Sequence, residues 1–260
     1  MDLGIAGRKA IICASSRGLG KACAMSLARN GVDVTINGRD ASVLEKTAAE
    51  IRAAAPTVEV SMVVGNVSDP QCQEALLSAV PEVDILVNNN GGPPFRDFRE
   101  LDRDAMMEGV TMNMITPIEL ITGVVDGMAG RKFGRIVNIT SISVKKPVLG
   151  LDLSSGARAG LTAFLAGVSR SLASNNVTIN NILPGFFDTD RLRGSLEASV
   201  KTLGISLEEA VAARTQQVPA ARFGQPEEFG EACAFLCSAQ AGYITGQNLL
   251  LDGGVFDSAF

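Results

Sequence analysis

The sequence predicts a single α/β domain, a doubly wound parallel sheet with helices on both faces, and three observations carry that prediction. Apolar, β-rich runs alternate with longer segments of helical periodicity along the whole chain, as repeated strand–helix–strand units require. A turn of small residues and glycine directly follows the first run, at the strand end where open α/β sheets bind ligands. The composition, 46% hydrophobic and 20% charged over 260 residues, is that of a globular chain able to bury a core and excludes a disordered or collagen-like one.

The runs Lys9 to Cys13, Val32 to Ile36, Val58 to Val64 and Val83 to Val87 are apolar and β-rich and read as buried parallel strands. Further strands are expected at Arg135 to Thr140, Val177 to Leu183 and Asn248 to Leu251, with helices near 19–30, 41–54, 70–79, 103–130, 155–174 and 226–238. No linker, repeat or low-complexity tract divides the chain, so residues 1–260 are read as one domain. Residues 186–216 break the rhythm with apolar and basic residues mixed at helical spacing. They are read either as a substrate lid or as a surface helix pair packed on the domain.

Charge and composition exclude several function classes. The net charge is -5 and the basic residues are scattered, whereas nucleic-acid binding needs a basic stripe that neutralises phosphates. No apolar run reaches the roughly 18 residues needed to span a bilayer. Met1-Asp2-Leu3-Gly4 does not open a leader, and a cytoplasmic location is expected. Histidine is absent and the five cysteines form no CxxC pair, which leaves almost no donors for zinc, and no metal is expected. Cys233 and Cys237, four apart on a helical pattern, read as buried small hydrophobes.

The turn Ala14-Ser15-Ser16-Arg17-Gly18-Leu19-Gly20 leads into a helix. Small residues there let backbone approach a pyrophosphate, and a helix N-terminus offers unpaired N–H groups and a positive dipole end. The second strand is followed by Asn37-Gly38-Arg39, with no carboxylate at the strand end to hold a ribose 2′-hydroxyl. Arg39 and Arg17 instead suit a 2′-phosphate, so NADP(H) is expected over NAD(H). The alternative is a pair of solvated surface arginines.

Further motifs fall in order along the chain: Asn88-Asn89-Asn90-Gly91, Thr111-Met112-Asn113, a strand ending at Ser141, Pro184-Gly185, Arg222 to Glu228, Tyr243 to Gln247, and Asp252-Gly253-Gly254. With the glycine-rich turn Cys13 to Gly20, their order resembles the short-chain dehydrogenase/reductase family across essentially the whole chain, most closely its bacterial β-ketoacyl carrier-protein reductases. The resemblance implies a Rossmann-type fold. It also implies a dinucleotide site formed by Ala14, Ser15, Ser16, Arg17, Gly18, Leu19, Gly20, Arg39, Asn66, Val67, Asn89, Gly91, Arg158, Pro184, Gly185 and Thr189. Three residues depart from the family pattern: Ala14 for the first glycine, Asn66 for an aspartate, and Asn90 for the alanine of NNAG. Alanine adds one methyl group, and asparagine still offers an acceptor to an adenine amine.

The largest departure concerns the catalytic acid. Family members carry a Tyr-x-x-x-Lys pair thirteen residues beyond the catalytic serine, and here those positions hold Ser154 and Arg158. The tyrosine delivers a proton to the carbonyl oxygen as hydride arrives, its pKa lowered from about 10 by the lysine. A serine hydroxyl is a far weaker acid, and an arginine, with a pKa above about 12, is a poor proton shuttle that keeps the positive charge. The single tyrosine, Tyr243, lies in a scaffold segment. Lys145 and Lys146 lie just past Ser141, and the combination resembles an atypical subgroup with Ser-x-x-x-Arg and a lysine in this loop. In a desolvated cleft beside a guanidinium, a lysine becomes a usable acid; on an open loop it is merely solvated, a reading that fits Lys146 better than Lys145.

The expected catalytic set is therefore Asn113, Ser141, Lys145, Ser154 and Arg158. Asn113 would hold a helix irregularity and a water, and Ser141 the substrate oxygen; a mid-helix asparagine bonding its own backbone and a serine opening a loop are the plain alternatives. The expected function is an NADP(H)-dependent oxidoreductase acting on a small carbonyl, alcohol or acyl thioester substrate. The alternatives are an inactive dinucleotide-binding sensor or partner subunit, and another reaction such as dehydration on the same scaffold. The resemblance implies a homotetramer or dimer joined through the helices near 103–130 and 155–174. Pro93, Pro94, Phe95, Val148, Leu149, Phe186 and Phe187 are expected at the pocket mouth, and Arg191, Arg193, Lys201 and Arg214 hint at an acidic substrate group.

Overall fold

The computed structural model describes residues 2–93 and 95–259. Seven parallel strands form one sheet in the order β3-β2-β1-β4-β5-β6-β7: β1 (Lys9–Ile12), β2 (Asp33–Gly38), β3 (Val60–Val64), β4 (Ile85–Asn88), β5 (Gly134–Ile139), β6 (Val177–Pro184) and β7 (Asn248–Leu251). Helices α1 (Gly18–Arg29), α2 (Ala41–Ala54), α3 (Pro70–Ala79), α4 (Arg103–Val110), α5 (Thr116–Gly130), α6 (Asp152–Leu172), α7 (Asp190–Leu203), α8 (Leu207–Thr215) and α9 (Pro226–Leu236) complete it. Strand order reverses at β1, which pairs with β2 on one side and β4 on the other, and this reversal opens a crevice beyond the carboxyl ends of the strands.

The apolar runs of the sequence become two cores because successive strand residues point to opposite faces. On one face Ala10, Ile12, Ile85 and Val87 pack with Leu27, Leu44, Ile51, Phe229 and Cys233 from α1, α2 and α9. On the other, Ile11 and Leu86 pack with Leu76, Leu120, Val124, Leu161 and Leu165 from α3, α5 and α6. Each face has its own helix layer, and all five cysteines are free and buried.

Two expected elements differ in detail. The helix foreseen over 103–130 is divided by a π-helical turn at Thr111–Ile115, and the helix foreseen from 155 begins at Asp152, which places Ser154 in the first turn of α6. The segment 186–216 forms the α7–α8 pair, which buries Leu192, Leu196 and Ala210 in a small cluster of its own with Phe186 and Phe223. No helix among the described residues is long and apolar enough to cross a membrane, and none of their side chains cluster as a metal site.

Candidate active site

A cleft of about 1610 Å³ runs along the carboxyl ends of the strands, lined at one end by Ser16, Arg17, Gly18, Arg39, Asn66 and Val67 and at the other by Ser141, Ser154, Arg158 and Arg191. The first-turn N–H groups of α1 have no side-chain cap, since Arg17 at the N-cap makes no such bond, whereas Asp40, Asp102, Thr189 and Ser206 cap α2, α4, α7 and α8. Uncapped donors at a helix N-terminus suit an anion. Gly20 is required for packing: a Cβ there would stand 2.5 Å from the Ala14 carbonyl oxygen and 2.8 Å from Asn89 Nδ2. These features fit the pyrophosphate of a dinucleotide.

Ala14 fills the place of the first family glycine at φ 43°, in the left-handed region that costs a side-chain-bearing residue. Three bonds hold it there. Its N–H donates to Asn37 Oδ1 at 3.1 Å, its carbonyl accepts from Asn89 Nδ2 at 3.0 Å, and the next residue's N–H donates to the Asn37 carbonyl at 2.7 Å. Ser15 is turned inward, its hydroxyl donating to the Ile12 carbonyl and accepting from the Asn37 N–H. Ser15 and Gly20 therefore support the turn from behind, while Ala14, Ser16, Arg17, Gly18 and Leu19 face the cleft. Asn37, which sequence reading passed over, braces the turn and also donates to the Val63 and Gly65 carbonyls.

At the same end Arg17 and Arg39 line the cleft with exposed side chains. The nearest carboxylate after β2, Asp40, caps α2 by accepting from Ser42 and Val43, and these bonds hold its carboxyl below the ordinary range. Asn66 Oδ1 accepts from the Ser68 N–H, so its amide is partly engaged within its own loop. Asn89, Gly91, Pro184, Gly185 and Thr189 also line the cleft. Gly185 is a close-approach position, where a Cβ would stand 2.7 Å from Asp252 Cα.

The other end of the cleft is built where β5 meets α6. Ser141 caps the short turn after β5, its Oγ accepting from the Ser143 N–H at 3.1 Å. Ser154 is 4% and Arg158 8% exposed. Arg158 Nε donates to Ser154 Oγ at 3.2 Å and its Nη1 to the Ile139 carbonyl at 2.7 Å. Both serine oxygens accept within the chain, which leaves their O–H groups free to point into the cleft. No carboxylate among the described residues pairs with Arg158. Burial first, and then the charge of Arg191, lowers its pKa to about 10, still high enough to stay charged near neutrality.

Asn113 sits on the π-helical turn with its Nδ2 donating to the Gly109 carbonyl. Asn113 Oδ1, Asn88 Oδ1 and Thr116 Oγ1 have no partner within the described chain, and the three residues line, with Arg158, a void of about 20 Å³. That is room for one water with three polar neighbours. Asn88 also starts a row of side-chain amides that crosses four strands, Asn88 to Asn138 to Asn181 to Asn248, at 2.9, 3.0 and 2.8 Å. Asparagines recurring near strand ends were the only sequence signal for this row.

Two expectations are not met by placement. Lys145 lies outside the cleft lining, exposed, with its ammonium 5.2 Å from the Phe256 ring centroid; the short turn Ile142–Val144 carries it outward. Lys146 is the lysine that borders the cleft, held by the Val255 carbonyl at 2.9 Å and Asp257 at 3.5 Å. Tyr243 is fully exposed and does not line the cleft. Phe95, Val148, Leu149, Phe186 and Phe187 line it and Pro93 does not; Pro94 lies outside the described residues. Of the basic residues of 186–216, Arg191 and Arg214 line the cleft, while Arg193 pairs with Asp188 and Lys201 stays outside.

Fold and cleft define a Rossmann-type protein with a dinucleotide-shaped crevice. The family described as Enoyl-(Acyl carrier protein) reductase matches residues 13–256, and the chain belongs to the short-chain dehydrogenase/reductase family of oxidoreductases. It is 31% identical to the NADPH-dependent reductase BacG of Bacillus subtilis over 96% of this chain and 98% of that protein. It is 32% identical to the 3-oxoacyl-[acyl-carrier-protein] reductase FabG of Vibrio cholerae over 98% and 99%. L-sorbose reductase from Gluconobacter frateurii, solved with NADPH and L-sorbose, superposes with a TM-score of 0.94 at 27% identity, over 99% of this chain and 100% of that one.

Proposed function

We propose that this protein is an NADP(H)-dependent carbonyl reductase in which two serine hydroxyls and a buried guanidinium stand in place of the tyrosine and lysine. The observation that carries this reading is the Arg158–Ser154 pair in the cleft: a buried charge with no carboxylate costs folding energy, and ionisable groups perturbed by burial in a cleft concentrate at functional sites. The relatives named for NADPH-dependent reduction and for 3-oxoacyl substrates support the same class.

NADPH, when bound, supplies a hydride to the carbonyl carbon. The Ser141 and Ser154 O–H groups then donate to the substrate oxygen, and the Arg158 charge stabilises the negative charge that develops there, as an oxyanion hole does. The Ser154 hydroxyl is too weak an acid to be the source of the proton and acts as a relay: it gives its proton to that oxygen as it takes one from a cleft water held by Ser154 and Arg158, so the product alcohol gains one proton from solvent. Arg17 and Arg39, with Asp40 turned to its helix cap, favour a 2′-phosphate and hence NADP(H).

Nicotinamide fluorescence on titration with NADPH and NADH, followed by addition of ketones and β-ketoacyl thioesters, tests the reading. We expect tighter NADPH than NADH binding, substrate-dependent oxidation, and a loss of about 10-fold or more in kcat for Ser154→Ala. Because the guanidinium does not titrate near neutrality, the rate is expected to be flat between about pH 6 and 9, without the limb a tyrosine acid would add. The outward placement of Lys145 and Tyr243 favours the second reading, a non-catalytic dinucleotide-binding subunit, and NADPH binding without turnover would establish that instead. Absence of binding overturns both.

A further inference from the structure

The α7 segment brings a second guanidinium to the reacting end. Arg191 extends across the cleft from the first turn of α7 to the Gly92 backbone, its Nη2 2.7 Å from where a Cβ on Gly92 would stand. It makes no hydrogen bond or ion pair among the described residues; the residue is exposed overall, while the part of its side chain that reaches into the cleft loses enough water to lower its pKa. The Arg158 side chain is buried, with two of its five N–H groups engaged, by Ser154 and by the Ile139 carbonyl. The carboxylates that line the cleft are Asp69, Glu108 and Asp190, and none forms an ion pair with either arginine. Two like charges facing one cavity, with open donors and no counter-charge from the chain, are matched by an anion.

We infer that Arg158 and Arg191 together bind a carboxylate carried by the substrate next to its reacting carbonyl, so that the preferred substrates are oxo acids. The inference rests on the reductase reading for its chemistry and on the cleft alone for its anion. Its placement follows from Arg158, whose contact with Ser154 puts an anion on this guanidinium beside the serine that meets the carbonyl oxygen. The dinucleotide pyrophosphate has a separate site at the uncapped start of α1. Gly92 matters for the same reason: any side chain there would force the Arg191 guanidinium to shift from its present position.

The test uses the full chain with NADPH. Oxamate, a non-reducible oxo-acid mimic, and oxamide, its neutral counterpart, are titrated into the NADPH complex, and 4-methyl-2-oxopentanoate is compared with its methyl ester as substrate. We expect oxamate to bind and oxamide not to, the acid to be preferred over the ester, and Arg191→Gln to weaken oxamate binding and lower the acid-over-ester ratio of kcat/KM by about 10-fold or more, with partial rescue by Arg191→Lys. Arg191 lies on an exposed helix turn, and unchanged thermal unfolding of the variant shows the fold intact. Equal binding of oxamate and oxamide, or equal use of acid and ester, overturns the anion site while leaving the reductase reading standing. An Arg191→Gln effect on NADPH affinity with none on oxamate also overturns it and assigns the arginine to the cofactor phosphates. Arg191-dependent oxamate binding without turnover of any carbonyl supports the anion site and removes the reductase reading.

Discussion

Ala14 shows how a one-atom departure from a family pattern acquires a cost that only the backbone reveals. In the sequence it replaces glycine by a methyl group; in the structure it holds φ 43°, where an L-residue is disfavoured by roughly 1–2 kcal/mol. Asn37 and Asn89 fix the turn in that conformation from both sides. Ala14→Gly is therefore expected to stabilise the protein by about 0.5–1 kcal/mol, the relieved strain exceeding the added freedom of glycine in the unfolded chain. Thermal unfolding checks this as a rise of about 2–4 °C per kcal/mol for a chain of this size, and an unchanged or lower melting point would contradict it.

Among the elements, α9 supports the glycine-turn end of the cleft indirectly. It packs on α1 so closely that a Cβ on Gly230 would stand 2.5 Å from the Ala22 carbonyl oxygen, which fixes the helix whose uncapped N-terminus faces the cleft. Its own start is held by Glu228, which accepts from both Arg222 guanidinium nitrogens and from the Gln225 N–H, each at 2.7 Å. Chiefly through Arg222, these bonds lower the Glu228 pKa from 4.5 to about 2. The folded value lies below the unfolded one, so the stabilisation is complete above the ordinary carboxylate range and disappears as pH falls toward the folded value. Solvent screening keeps it modest. Glu228→Gln is expected to lower the melting temperature at pH 7, and the gap from the parent protein should narrow as pH is lowered through the interval between 4.5 and about 2. A pH-independent gap would place the effect elsewhere.

For the whole molecule, the surface left by folding carries a proposal the single chain does not test. Met106 and Met107 on α4 and Phe164 on α6 are large apolar side chains left exposed, and these are the helices through which family resemblance implies self-association. We expect a homo-oligomer by light scattering, converted toward monomer by the pair Met107→Glu and Phe164→Glu. A monodisperse monomer of the parent chain would remove the proposal.

Strand runs, helix periods and the glycine turn made the fold legible because each is a local pattern: short apolar, β-rich runs mark strands, and period 3.6 marks helices packed on them. Local sequence likewise shows Ser154 and Arg158 at the spacing from Ser141 where the family resemblance implies a tyrosine and a lysine. Orientation was beyond it. The sequence favoured Lys145 over Lys146 for the cleft, yet Lys145 lies over Phe256 outside it and Lys146 borders it, because a single short turn decides which way each side chain leaves the backbone. The amide row from Asn88 to Asn248, the three unpartnered polar atoms around the void, and the charge of Arg191 felt at Arg158 all join residues far apart in the chain. Only the parallel sheet and the crossing of α7 over its carboxyl edge bring them together, so tertiary structure decided the electrostatics of the site while sequence determined its frame.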